Sequence, residues 1–262
     1  MRHLSRILFL TVLSTLVLSC TSSSRIQKNM NSKHFSLAYI QDSGIAATKD
    51  SVSVRIDSVL FNANTMPDTT IVKKEKGWFL PLVLVYVWKA QHNCVQGKLM
   101  MEEDIPSFCR SSLATEMNRS GRFQVDTLAN SPYSLEVSID EMSTQGPYVS
   151  SGFFYFAFYV YGYSYADNAG PAVSKLRVSY KLKKGNELVH SNSFLAEKKT
   201  EQIVKRYTNI NILQQDYAIS MVEACSYNFK RINEQIVTDL NTYFASQRRV
   251  SSLKARSLGK NV

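Results

Sequence analysis

At 262 residues the chain has room for one domain with insertions or for two small ones. It shows no internal repeat and no Pro- or Gly-rich linker inside the body, which excludes a repeat array or a string of joined modules and favours one domain. The formal net charge of +10 suits acidic lipid headgroups or a negatively charged partner.

The chain opens with "MRHLSRILFLTVLSTLVLSC". Arg2 and Arg6 precede an acid-free apolar run from Ile7 to Leu18. That run is too short for a spanning helix, which needs about 20 apolar residues, and fits the apolar core of a secretory signal. Val17, Leu18, Ser19 and Cys20 resemble the bacterial lipobox, in which a small residue precedes a cysteine that receives a diacylglycerol and becomes the new N-terminus. Residues 1–19 are therefore read as a signal peptide and Cys20 as the lipidation site. Removal of Arg2 and Arg6 lowers the net charge to +8. Acyl chains contribute about 0.8 kcal/mol per buried CH₂, so a chain carrying more than one is anchored to a membrane without crossing it. Residues 20–33, including the polar run "TSSSRIQKNMNSK", read as a flexible leash. By resemblance to the Gram-negative sorting rule, Thr21 in place of Asp points to the outer membrane. The lack of an acidic cluster after Cys20 points to its periplasmic face, a compartment that disfavours nucleic acid as a partner.

Residues 34–246 read as a single domain. "HFSLAYI" and "SVSVRIDSVLF" alternate as strands, the second with Val52, Val54, Ile56 and Val59 or Leu60 inward. A helix follows: Asp104 caps it, Pro106 suits its first turn, and Ile105, Phe108, Cys109, Leu113 and Met117 share one face before Gly121. Glu102, Glu103 and Asp104 complement the positive end of that helix. "RFQVD" begins a strand, and "YSLEVSIDEM" continues with Tyr133, Leu135, Val137 and Ile139 on one side. "SKLRVSYKLKKGNELVHSNSFLAE" reads as a hairpin turning at Lys184, Gly185 and Asn186. Tyr217, Met221, Cys225, Phe229, Ile232, Ile236, Leu240 and Tyr243 then step by three or four along a long C-terminal helix. Residues 247–262 hold Arg248, Arg249, Lys254, Arg256 and Lys260 among serines and read as a basic disordered tail. The expected fold is α+β: a mainly antiparallel sheet with helices packed on one face.

This order of elements, with "SSLATEMNRSGRF", "YSLEVSI", "YKLKKGNELVHSNSF" and "AISMVEACSYNFKRINEQIVTDL", resembles the auxiliary lipoproteins of ABC-type lipid transport systems. It also resembles the lipopolysaccharide-assembly lipoproteins that plug an outer-membrane barrel. The resemblance spans roughly residues 35 to 245 and implies a scaffold or adaptor with no catalytic residues. Two apolar blocks, "GWFLPLVLVYVW" and "GFFYFAFYVYGYSY", depart from both families.

Residues 77–88 and 142–166 carry no charge. Three readings stay open for these blocks: strands buried on both faces, a membrane span, or an exposed contact patch for lipid or an envelope protein partner. The patch would use Trp78, Phe79, Trp88, Phe153, Phe154, Phe156, Tyr159 and Tyr161.

No phosphate-binding Gly-rich loop, G-x-S-x-G, H-E-x-x-H or Cys-x-x-Cys occurs. His92 and Cys94 lack a second ligand pair and read as an ordinary loop, so no metal, cofactor or catalytic group is expected. A Cys94–Cys109 disulfide and three buried thiols at Cys94, Cys109 and Cys225 are both compatible with the spacing, with Cys109–Cys225 as a third arrangement. The function expected is a lipid-anchored, non-catalytic accessory lipoprotein of envelope transport or assembly. The alternative is a surface-exposed ligand- or glycan-binding lipoprotein whose aromatics stack on sugars.

Overall fold

The computed structural model describes residues 22–39, 51–62, 69–75, 83–97, 100–126, 131–157, 160–206 and 209–258. Cys20, Trp78, Phe79 and Tyr159 lie outside them. In chain order the elements are α1 (Ser23–Met30), β1 (Val52–Phe61), β2 (Thr70–Glu75), β3 (Val83–Val95), α2 (Ile105–Arg119), β4 (Phe123–Val125), β5 (Tyr133–Ala157), β6 (Val160–Ala169), β7 (Val173–Lys184), β8 (Glu187–Lys199), β9 (Ile203–Arg206) and α3 (Ile210–Leu258). This is the α+β fold expected, with a mainly antiparallel sheet and a long C-terminal helix.

The 25-residue β5 is the spine of the sheet. Its first half pairs with β1 on one side and β7 on the other; its second half pairs with β3 and β6 on those same two sides. The strand begins as the alternation of Leu135, Val137 and Ile139, all buried, and each such side chain contributes about 1.5–3 kcal/mol. A register shift between Ile139 and Glu141 then changes the phase. From there Met142, Thr144, Gly146, Tyr148 and Ser150 are the buried positions. The exceptions to antiparallel pairing are β1 with β4 and β1 with β5. Between β1 and β4 the chain crosses through α2, as parallel neighbours require.

The helices share one layer, since α1 and α2 both pack on α3, and α3 lies against β7 and β8. Leu213, Tyr217, Met221, Cys225, Phe229, Ile232, Ile236 and Leu240 form the buried stripe of α3. Asp104 caps α2 as expected, accepting from the Ser107 N–H at 3.1 Å. Its neighbours do something else: Glu103 accepts the Leu37 N–H at 2.9 Å and Glu102 accepts the Ser36 hydroxyl at 2.7 Å. These bonds fasten residues 34–39, which are extended but form no strand of the sheet, their one ladder-type pairing among the described residues being an isolated bridge between Phe35 and Met101.

Three other expectations change. Residues 23–30 of the supposed leash are helical, because the i, i+4 pair Ile26 and Met30 is enough of an apolar stripe to be buried against the body. The Asn29 side chain donates to Gln214 Oε1 at 2.8 Å and so ties α1 to α3. The tail does not start at residue 247, since the backbone of α3 stays helical to Leu258. His92 and Cys94 lie in β3 rather than in a loop, both fully buried.

Candidate contact surface

Where β5 passes Ser150, the helix layer stops and the sheet continues. Among the described residues, strand β2 pairs with β3 from Lys89 to Asn93, and β9 pairs with β6 from Ala166 to Ala169. What projects, among the described residues, is a three-stranded wing made of residues 83–88, 151–157 and 160–165. At roughly 3.3 Å per residue it is about 20 Å long.

Register assigns its two faces. Tyr86 pairs with Phe154 and Phe154 with Tyr163; Trp88 pairs with Gly152 and Gly152 with Tyr165; Phe156 pairs with Tyr161. These residues continue the face that Tyr148 and Ser150 turn toward the helices. Val85, Val87, Phe153, Tyr155, Ala157 and Val160 occupy the opposite face. Both faces are open: Phe156, Tyr161 and Tyr163 are 40%, 67% and 60% exposed on one, Val87 and Phe153 42% and 43% on the other. The reading of the two blocks as strands buried on both faces therefore fails at their ends, although the same strands are core nearer the helices.

The wing is ordered by its own side chains. Tyr86 and Trp88 stack at 5.8 Å between ring centroids, and Phe153 and Tyr155 at 6.4 Å. Two glycines allow the rings to lie flat. A Cβ at Gly152 would sit 2.2 Å from the Trp88 ring, and one at Gly162 would sit 2.2 Å from the Tyr155 ring. Each aromatic covers the glycine directly across the ladder, which restores packing where the strand has no side chain.

Of the residues singled out in the sequence, Trp88, Phe153, Phe154, Phe156 and Tyr161 come together here. Trp78, Phe79 and Tyr159 fall outside the described residues. Tyr86, Val87, Tyr155 and Tyr163 were missed; the period-2 assignment of both blocks to paired strands would have found them.

One polar cluster of the body gathers on Asp239 of α3. The Asp239 carboxylate receives hydrogen bonds from the Tyr180 hydroxyl and from Asn192 Nδ2 at 3.0 Å, with His190 Nε2 also 3.0 Å away. Burial raises its pKa, but these donors outweigh that and hold it below the usual carboxylate range. Tyr180 is pushed well above the ordinary phenol value by burial and by the bond to Asp239, so it is no ready proton donor. The cluster borders a shallow groove of about 410 Å³ lined by Phe194, Arg231, Gln235 and Thr242, and it fastens α3 to β7 and β8.

Cys94, Cys109 and Cys225 are free, and burial pushes each thiol up to about 12. The Cys94–Cys109 bond considered above is not formed. Among the described residues no three His, Cys, Asp or Glu side chains gather as a metal site, and no helix is long and apolar enough to cross a membrane.

No family model matches the sequence, and no curated protein matches it. Among solved structures, protein XCC0632 from Xanthomonas campestris, of family DUF330, superposes with a TM-score of 0.42 at 8% identity, covering 83% of this chain and 99% of that one. A Helicobacter pylori protein described as a homologue of a neuraminyllactose-binding hemagglutinin superposes with a TM-score of 0.39 at 11% identity, covering 84% and 99%. At these scores nothing about function is carried over from either.

Proposed function

We propose that this chain is a lipid-anchored, non-catalytic accessory protein of the bacterial outer membrane, acting as a scaffold or adaptor in envelope transport or assembly. The observation that carries the reading is the wing. A body with its own buried core nevertheless holds out an uncharged aromatic strip, and an exposed apolar strip of this kind is a device for contact, not for chemistry. The lipobox-like run ending at Cys20 supports the anchor, and the use of the Asp239 cluster in packing supports the absence of catalysis.

Two measurements in cells test it. A Cys20→Ser variant should leave the membrane fraction, and its retention there at high salt would refute the anchor. A photo-crosslinking residue at position 161 should form adducts with an envelope component in the Cys20 protein and not in the Cys20→Ser variant. Absence of adducts in both would refute the adaptor role.

A further inference from the structure

The wing's two-sided character says what it touches. A protein partner docking on a sheet covers one face, and selection then needs only that face to be apolar. Here Val87, Phe153 and Tyr155 lie on one face and Tyr86, Phe156, Tyr161 and Tyr163 on the other, and no residue from 83 to 88 or from 151 to 165 is charged. An element with no polar side at all is suited to a surrounding medium. Its composition narrows the medium further: Trp and Tyr, each with an apolar ring and a polar tip, collect at the boundary between headgroups and acyl chains.

The position of α1 adds a second, independent argument. The Ser23 hydroxyl lies 3.0 Å from His92 Nδ1. His92 stands four residues along β3 from Trp88, about 13 Å at the strand rise. Cys20 is three residues before Ser23, so an acyl group on it attaches within about 11 Å of that point. Because α1 belongs to the helix layer, its N-terminal end at Ser23 lies on the side of the sheet that carries Trp88, Phe154, Phe156 and Tyr161. An anchor and an aromatic strip at the same end of the molecule meet the same membrane.

We infer that the wing of residues 83–88, 151–157 and 160–165 lies in the interfacial layer of a phospholipid bilayer, where it fixes the orientation of a body already tethered through Cys20. The tethering half of this inference rests on the function proposed above.

The test uses the full acylated chain carrying Trp78→Phe, so that Trp88 is the remaining tryptophan. The protein is reconstituted in vesicles of phosphatidylethanolamine and phosphatidylglycerol, with and without lipid brominated near the headgroup. Brominated lipid should quench Trp88 at least twofold. In the Phe156→Thr/Tyr161→Thr double variant that quenching should be lost while the protein still floats with the vesicles. Flotation of the parent with Trp88 unquenched would overturn the inference and leave the anchor standing. Unquenched Trp88 in a chain that sediments as a dimer, with the double variant monomeric, would overturn it in favour of a second copy on the wing. The mass of the N-terminal peptide reads acylation separately, and a chain without acyl groups, mixed with the same vesicles, gives the same quenching readout for the wing alone.

Discussion

Truncating a core ring and a wing ring should have very different costs. Phe229 is fully buried on α3 and meets Phe108 of α2 edge to face, with centroids 5.3 Å apart. Phe229→Ala removes the whole ring from a packed site, a change that typically costs about 3–5 kcal/mol including the cavity, with the aromatic pair accounting for about 0.5–1.5 of it. Tyr161 keeps 67% of its surface exposed, so only a third of its area is at stake. A ring that buries about 200 Å² when fully covered then loses at most about 1.7 kcal/mol at 25 cal/mol per Å², and roughly 1 once the methyl of Tyr161→Thr is counted. In urea, with a slope of about 2.5 kcal/mol per M, the midpoint should fall by about 1.5 M for Phe229→Ala and by about 0.4 M for Tyr161→Thr. Circular dichroism against urea, at two protein concentrations and without lipid, measures both. Equal shifts would mean that Tyr161 is covered in solution and that the wing is not an exposed surface. A shift below about 0.5 M for Phe229→Ala would refute the packing of α2 on α3.

The three buried thiols predict a redox-inert protein: Cys94, Cys109 and Cys225, each with its pKa pushed to about 12 by burial, should react with a thiol reagent at pH 8 only as fast as the chain unfolds. Rapid labelling of any of them in native buffer would contradict the burial. The two aspartates titrate in opposite senses. Asp239 is held low in the folded state, so its stabilising contribution is complete above the unfolded value of about 3.9 and is lost as pH falls through the folded one; Asp239→Asn should flatten that acid limb of a pH–melting curve. Asp167 is raised, chiefly by burial. Its effect on stability therefore turns unfavourable as pH climbs from about 3.9 through the folded value, and Asp167→Asn should melt higher than the parent at pH 7, with a lower melting temperature counting against the assignment.

Much of the body follows from local chemistry in the sequence. Asp104, Pro106 and the apolar positions from Ile105 to Met117 specify α2 by capping and by period, and the alternation from Leu176 to Leu182 specifies β7 in the same way. The stripe from Tyr217 to Leu240 likewise specifies a helix that must lie on something apolar. Interactions that reach across the chain were illegible. Nothing local shows that Glu102 and Glu103 hold residues 36 and 37, or that Ile26 and Met30 suffice to dock α1, because each of those side chains is satisfied by a partner far away in sequence. The two apolar blocks draw the boundary most sharply. Their composition established uncharged strands, and Tyr148 and Phe156 sit on the same face of the same strand eight residues apart. One is fully buried and the other exposed, since a strand residue is buried only where another layer covers it, and the helix layer ends between them.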